Sequence, residues 1–210
     1  EDAAAMMLQG MTVEYLFHRV WPIEKGQKVL FHAAAGGVGL IAGQWAKALG
    51  ATVIGTAGSD EKVKLALRHG YDHVINYREE SFADRVKELT EGRGVDVVYD
   101  SIGKDTFPMS LDCLKPRGLW VTFGNASGPV PSLAPAILAQ KGSLYMTRPT
   151  LGTYIASRDE LTECAESLFA IVRGNKVVIN INQTYPLAEA ARAQTDLEGR
   201  RTSGTTLLIP

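Results

Sequence analysis

Short apolar runs alternate with amphipathic stretches along most of the chain. The run Val29 to Ala33 is nearly continuous, which is typical of a strand buried on both faces of a parallel sheet. The stretch after it repeats apolar residues at helical spacing on one face, and Gly50 stands where a helix would end. Residues Thr52 to Thr56 return to strand character. The pattern predicts a β-α-β unit with a cluster of glycines at its first turn.

The alternation continues beyond this unit without a linker or an internal repeat. Helices are predicted near the N-terminus, over 38–49, over 60–69, from 81 to near 92, over 105–114 and over 134–140. Strands are predicted at 29–33, 52–56, 73–76, 95–99, 119–123 and 143–147. Six strands that alternate with helices predict an α/β fold with a doubly wound parallel sheet, the Rossmann fold.

The last part of the chain departs from this rhythm. Ser157 and Glu160 are spaced as a capping box, which predicts a helix from Ser157 to Arg173. A strand at 177–181, a helix at 186–197 and a strand at 205–209 are predicted to follow. We therefore predict a dinucleotide-binding domain over residues 1–173 and a separate C-terminal segment over 174–210.

Composition and charge narrow the function further. The 210 residues carry a net charge of −1 with scattered Lys and Arg, so we expect no nucleic-acid partner. No apolar run approaches membrane-spanning length. Cys113 and Cys164 lie far apart without neighbouring histidines, so we expect no metal site and no disulfide, and we predict a reducing, cytoplasmic location. Because Glu1 already stands in a helical pattern, the chain is expected to be cut from a longer protein.

The glycine cluster between the first strand and the next helix is a candidate phosphate-binding turn. Residues Ala34 to Gly39 follow the dinucleotide pattern G-x-G-x-x-G with alanine at the first glycine position. Gly36 would let the phosphate groups of a dinucleotide approach the protein backbone, and Gly39 would let the helix pack closely on the strand. The helix N-terminus would offer free N–H groups to a pyrophosphate. A tight turn without a ligand is the alternative, and a P-loop is disfavoured because no Gly-Lys-Ser/Thr closes the turn.

The end of the second predicted strand indicates which dinucleotide is bound. A site that prefers NAD carries an acid there, whereas this chain has none until Asp60, which we expect to cap the next helix. Ser59 and Lys62 instead leave room for the 2′-phosphate of NADP. The alternative for Lys62 is an ordinary solvated helix lysine.

Further residues follow the other predicted strands and are expected to line the same crevice. They are Tyr77, Ser101, Phe123, Gly124 and Asn125. Asp100 and Ser101 could suggest a hydrolase triad, but the chain has no G-x-S-x-G nucleophile elbow.

Several motifs together resemble one enzyme family. They are AAAMMLQGMTVEYL, FHAAAGGVGLIAGQWAKALGA, GSDEK, VINYREE, VVYDSIG, FGNASG, QKGSLYMTRP and SGTTLLIP. Nearly the whole chain resembles NADPH-dependent quinone oxidoreductases, the zeta-crystallin-like and zinc-free members of the medium-chain dehydrogenase/reductase superfamily. The resemblance implies a Rossmann domain whose C-terminal segment rejoins a GroES-like catalytic domain that is mostly missing here.

The resemblance also implies a set of cofactor-binding residues. Thr12 and Tyr15 would lie near the nicotinamide, and Gly37 and Val38 at the pyrophosphate. The residues implied around the adenosine 2′-phosphate are Gly58, Ser59, Lys62 and Tyr77, with Arg200 reaching back from the C-terminal segment. Those implied along the ribose and nicotinamide are Ser101, Phe123, Gly124, Asn125 and Pro149. The catalytic residues stay unknown because they would belong to the missing part.

The activity implied by the resemblance is hydride transfer from NADPH to a quinone. An enoyl-thioester reductase of the same superfamily is one alternative, and a non-catalytic module that binds NADPH or RNA is another. A zinc alcohol dehydrogenase is disfavoured by the resemblance. We also predict a homodimer through the edge strand at 143–147, where Leu144, Tyr145 and Met146 supply apolar content.

Overall fold

A computed structural model describes all 210 residues, and its centre is one six-stranded parallel sheet in the order β3-β2-β1-β4-β5-β6. The strands are β1 (Lys28–Phe31), β2 (Thr52–Ala57), β3 (His73–Asn76), β4 (Val95–Asp100), β5 (Leu114–Thr122) and β6 (Tyr145–Thr147). The helices around them are α1 (Asp2–Tyr15), α2 (Gly37–Ala48), α3 (Asp60–Leu67), α4 (Phe82–Leu89), α5 (Met109–Asp112), α6 (Ala136–Gln140), α7 (Leu151–Tyr154) and α8 (Arg158–Arg173). The predicted doubly wound sheet is confirmed.

Helices cover both faces of this sheet, so its central strands are apolar on both sides. Phe31 packs in the larger core with side chains of α1, α2 and α8, whereas its neighbour Leu30 packs in a second core with α4 and α5. Val97 and Val98 of β4 divide between the two cores in the same way. This two-sided burial explains why the strands read as continuous apolar runs rather than as alternating ones.

The C-terminal residues form a small sheet of their own. Strands β7 (Ile181–Pro186) and β8 (Thr205–Ile209) pair in parallel, and a 3-10 helix (Leu187–Glu189) and α9 (Ala190–Glu198) connect them. Gly204, just before β8, forms a bridge with Gly36, and its N–H donates to the carbonyl of Ala35 at 2.7 Å. The C-terminal segment therefore lies against the glycine turn. The domain boundary at residue 173 stays a prediction.

Beyond shifts of element ends, such as β5 beginning at Leu114 instead of the predicted residue 119, two predicted elements differ from the structure. The strand predicted at 177–181 is wrong, because the side chain of Gln44 accepts from the N–H of Val178 and donates to its carbonyl in place of a neighbouring strand. The strand of this region is β7, which begins at Ile181. The helix predicted over 105–114 shortens to α5, because Pro108 lacks an N–H and the preceding residues form turns.

The structure corrects one predicted helix cap and confirms another. Ser59, not Asp60, is the N-cap of α3, and its hydroxyl accepts from the N–H of Lys62 at 3.4 Å. At α8 the capping box is complete, since Ser157 and Glu160 each accept from the other's backbone N–H. A π-helix (Leu16–Val20), which no pattern predicted, continues α1.

Candidate functional site

A cleft of about 510 Å³ opens at the carboxyl ends of the central strands. Its walls come from the glycine turn after β1, the end of β2, the segments after β3 and β4, and the C-terminal segment. This is where an open parallel sheet binds its ligands, because the connections after neighbouring strands diverge there. Seven residues predicted from the sequence meet in this cleft: Gly36, Gly37, Gly58, Ser59, Lys62, Tyr77 and Arg200.

The glycine turn brings the N-terminus of α2 to the cleft. The N–H groups of Val38 and Gly39 have no hydrogen-bond partner in the protein, as expected for a first helical turn, whereas the Gly37 N–H faces the Gly204 carbonyl in the bridge between Gly36 and Gly204. A side chain at Gly39 would place its Cβ 2.6 Å from the carbonyl oxygen of Ala34, so only glycine lets the helix approach this closely. Free N–H groups and the positive end of the helix dipole can together hold an anion such as a pyrophosphate.

The end of β2 forms a second polar corner. Gly58 lies under the Tyr77 ring, since a Cβ added there would come within 2.9 Å of the Tyr77 Cζ atom. Lys62, one turn into α3, extends to the C-terminal segment, where its ammonium donates to the carbonyl of Arg200 at 2.8 Å. Residues of α3, of the segment after β3 and of the C-terminal segment therefore converge although they are far apart in sequence.

Three positive charges gather at this corner. Partial burial lowers the pKa of Lys62, and the nearby guanidinium groups of Arg78 and Arg200 lower it further. Arg200 also lies 3.7 Å from the carboxylate of Asp105, which lines the same cleft. Such a cluster of like charges favours a dianionic ligand, because a phosphate group would relieve the mutual repulsion of the cations.

The remaining predicted residues lie outside this cleft. Gly124 packs against the backbone of Ser101, where an added Cβ would come within 2.9 Å of the Ser101 Cα atom. The Phe123 ring lies 5.8 Å from the Phe31 ring. Asn125 is exposed and Pro149 is buried after β6. Val38 packs partly buried against the larger core.

Two further predicted residues, Thr12 and Tyr15, lie on α1. Thr12 donates its hydroxyl hydrogen bond to the Leu8 carbonyl at 2.7 Å. Tyr15 is buried and stacks on Tyr154 with 4.9 Å between ring centroids, and burial raises its pKa to about 12. Their assignment to the nicotinamide side stays a prediction.

Sequence reasoning missed several residues of the cleft. Arg78 directly follows Tyr77, a predicted site residue, so its positive charge could have indicated from the sequence that it belongs to the site. The cleft also contains Asp105, Thr202, Ser203 and Gly204, which no local pattern indicates. They reach the cleft through tertiary contacts, since Gly204 pairs with a residue 168 positions earlier, counted from 204 to 36.

The chain contains neither a candidate metal-binding cluster nor a candidate membrane-spanning helix. No group of three or more His, Cys, Asp and Glu side chains is placed to hold a metal ion. None of the helices combines the length and the apolar character that crossing a bilayer requires. Cys113 and Cys164 are both buried, and burial raises the pKa of each thiol to about 12.

Comparison with known proteins agrees with this geometry. A family profile described as zinc-binding dehydrogenase matches residues 37–171, from the first turn of α2 to the interior of α8. The chain belongs to this family. A quinone oxidoreductase from Pseudomonas aeruginosa is 55% identical over the whole chain, and quinone oxidoreductase 1 from Escherichia coli is 53% identical. The chain spans about 65% of the length of these curated relatives.

Solved structures extend the likeness to three dimensions. The chain is similar to an Escherichia coli quinone oxidoreductase complexed with NADPH, with a TM-score of 0.97 and 53% identity. That match covers 100% of this chain and 65% of the other. The predicted resemblance to quinone oxidoreductases is confirmed. These names do not favour the alternatives of an enoyl-thioester reductase or a non-catalytic module.

Proposed function

We propose that this chain binds NADPH and is the cofactor-binding part of an NADPH:quinone oxidoreductase. The observation that carries the proposal is the cleft itself, which is lined both by the N-terminus of α2 and by a cluster of three cations. The first suits a pyrophosphate and the second a 2′-phosphate. When bound, NADPH supplies a hydride to the acceptor.

The protein residues bind and orient the cofactor in this proposal. The backbone turn at Gly37 and the free N–H of Val38 would hold the pyrophosphate, while Lys62, Arg78 and Arg200 would hold the 2′-phosphate. Ala57 supports the choice of NADPH over NADH, because β2 ends there without the carboxylate that would repel a 2′-phosphate. The identity of the acceptor rests on the relatives, which include quinone oxidoreductases and, at 47% identity, a 2-haloacrylate reductase from Burkholderia.

Calorimetric titration of the chain with NADPH and NADH tests this proposal. A charge-assisted contact contributes roughly 1.5–3 kcal/mol, so Lys62→Ala should weaken NADPH binding about ten- to a hundredfold and leave NADH nearly unchanged. Ala57→Asp should shift the preference toward NADH. Lys64→Ala is the matched control, because Lys64 is an exposed lysine of the same helix. Equal binding of both dinucleotides by the unmodified chain would contradict the proposal, as would an equal loss of both in Lys62→Ala.

We further propose that the chain pairs with a second copy through β6. This strand is an edge of the sheet, and Tyr145 and Met146 are 60% and 38% exposed. An apolar depression lined by Trp21, Leu119 and Tyr154 lies beside it. An unpaired edge with apolar side chains favours pairing with another strand. The predicted cytoplasmic location stays a prediction.

Sedimentation measurements on a charged edge variant test the dimer. Met146→Lys should convert the dimer to a monomer, because a lysine on an edge strand opposes pairing. Leu8→Lys is the control, since Leu8 is 66% exposed and lies far from β6 in the sequence. Substitution of Leu144 is unsuitable because its side chain is buried in the second core. A monomeric unmodified chain, or a dimer unchanged in Met146→Lys, would refute this interface.

A further inference from the structure

Polar side chains form a row at the carboxyl ends of four neighbouring strands. Thr56 is the penultimate residue of β2, His32 follows β1, Asp100 ends β4 and Thr122 ends β5. The parallel register places Asp100 directly opposite Thr122, and the row is on the face of the sheet that α4 and α5 cover. Each of the four residues is at most 2% exposed. A buried polar row of this kind needs internal hydrogen bonds, because unpaired polar groups are costly to bury.

One chain of hydrogen bonds runs through three of these residues and Ser110. The His32 ring lies 2.9 Å from the Thr56 hydroxyl through Nδ1 and 3.1 Å from the Ser110 hydroxyl through Nε2. The Ser110 hydroxyl donates to Asp100 Oδ2 at 2.9 Å. Thr122 stands outside the chain, since its hydroxyl has no partner.

Asp100 sets the direction of every bond in this chain. Burial tends to raise its pKa, but the hydrogen bonds that the carboxylate accepts from the Thr106 hydroxyl and from the N–H groups of Gly103 and Ile102 lower the pKa and favour the ionised form. The ionised carboxylate accepts only, so the single Ser110 hydroxyl hydrogen points to it. The Ser110 oxygen must then accept from the His32 Nε2–H.

The protonation state of His32 in turn fixes the Thr56 hydroxyl at the cleft. Burial lowers the pKa of His32, and the Asp100 carboxylate opposes this only in part, so the ring is neutral near pH 7. With its proton on Nε2, the Nδ1 atom accepts from the Thr56 hydroxyl. Thr56 and His32 both line the cleft. Because its hydrogen is committed to His32, the Thr56 hydroxyl can act toward the cleft only as an acceptor, not as a donor.

We propose that Asp100 and Ser110 are positioning residues that fix the tautomer of His32, so that the cleft floor accepts a hydrogen bond from the amino group of an adenine. This inference rests on the proposed function. The amino group is the exocyclic donor of adenine, whereas hypoxanthine has a carbonyl acceptor at the same place. An acceptor on the cleft floor therefore favours an adenine dinucleotide over its hypoxanthine analogue.

Nuclear magnetic resonance of the ¹⁵N-labelled chain tests the tautomer directly. Two-bond ¹⁵N–¹H correlation should show His32 protonated at Nε2 and unprotonated at Nδ1. Ser110→Ala removes the acceptor of the Nε2–H and should shift His32 toward the Nδ1–H form. Thr122→Val is the matched control, because it removes a buried hydroxyl of the same row that has no partner. An Nδ1–H or doubly protonated ring in the unmodified chain would overturn the proposal.

Titration with NADP⁺ and its hypoxanthine analogue tests the consequence. The unmodified chain should prefer the adenine form roughly three- to tenfold, the size expected for one hydrogen bond. Ser110→Ala should bring the ratio close to one, whereas Thr122→Val should preserve it. Equal binding of both dinucleotides by the unmodified chain would sink this inference and leave the proposed function standing. Binding of neither would sink both, and thermal unfolding of each variant would identify a folding defect.

Discussion

At the scale of single residues, Gly39 shows how one absent side chain sets the geometry of the cleft. Its Cα lies so close to the turn that an added Cβ would approach the carbonyl oxygens of both Ala33 and Ala34. Backbone atoms cannot rotate away as the end of a side chain can. Any side chain here would push α2 away from β1 and with it the N–H groups that face the cleft.

We therefore expect Gly39→Ala to destabilise the fold by about 1–3 kcal/mol, the usual cost of overpacking. Gly152→Ala is the control, because a Cβ added at Gly152 in α7 meets nothing within 4 Å. The control should be neutral or slightly stabilising, since alanine favours a helix more than glycine does. Urea unfolding of both variants measures the difference. Equal free energies of unfolding for the two variants would show that the turn can adjust to a side chain at Gly39.

Residues of the cleft were predictable where their signal was local. Lys62 and Ser59 could be found because the end of a predicted strand names the positions that face a ligand. Asp105 and Gly204 could not, because their places depend on how distant segments pack. The chain of bonds from Asp100 to Thr56 was equally hidden, since it joins residues 44 positions apart, counted from 56 to 100.

At the scale of elements, the periodicity of the sequence predicted strands and helices correctly wherever the backbone hydrogen bonds stay within a helix or join neighbouring strands. The prediction at 177–181 failed because Gln44, a side chain of a distant helix, satisfies Val178. The same apolar run is compatible with a segment bonded to a side chain and with a strand bonded to its neighbour, so the sequence alone does not separate the two cases. The capping box at α8 was predicted correctly because its two residues lie within one turn.

This capping box gives α8 a dependence on pH. Hydrogen bonds from the backbone and hydroxyl of Ser157 lower the pKa of Glu160. A carboxyl group whose pKa falls on folding stabilises the fold above its unfolded-state pKa, and this contribution is lost as the pH falls through the folded-state pKa. Acidification should therefore lower the free energy of unfolding of the unmodified chain more than that of Glu160→Gln. The glutamine amide still accepts a hydrogen bond but does not titrate.

Ser157→Ala should cost about 1 kcal/mol at neutral pH, as loss of an N-cap usually does. Chemical unfolding at neutral and at acid pH, followed by circular dichroism, measures both effects. The same loss of stability on acidification in the unmodified chain and in Glu160→Gln would show that this carboxylate contributes nothing to the pH dependence.

At the scale of the whole molecule, the cleft depends on the return of the C-terminal segment. Arg200 reaches the corner where Lys62 and Arg78 lie, and Gly204 covers the glycine turn. A cofactor bound there would contact both the large sheet and the small one. The affinity for the cofactor should therefore depend on residues of both the six-stranded sheet and the C-terminal segment.

Binding and turnover should separate in this chain. The cleft contains the residues proposed for the pyrophosphate and the 2′-phosphate, whereas those predicted for the nicotinamide, such as Thr12 and Tyr15, lie outside it. The quinone oxidoreductases that the chain resembles are longer by about a third of their own length, since the chain spans 65% of them. We therefore expect tight NADPH binding in calorimetry but slow quinone reduction by the same preparation, with a full-length relative as the reference. Turnover at the reference rate would show that the residues that position the acceptor lie within these 210 residues, and the separation would then be wrong.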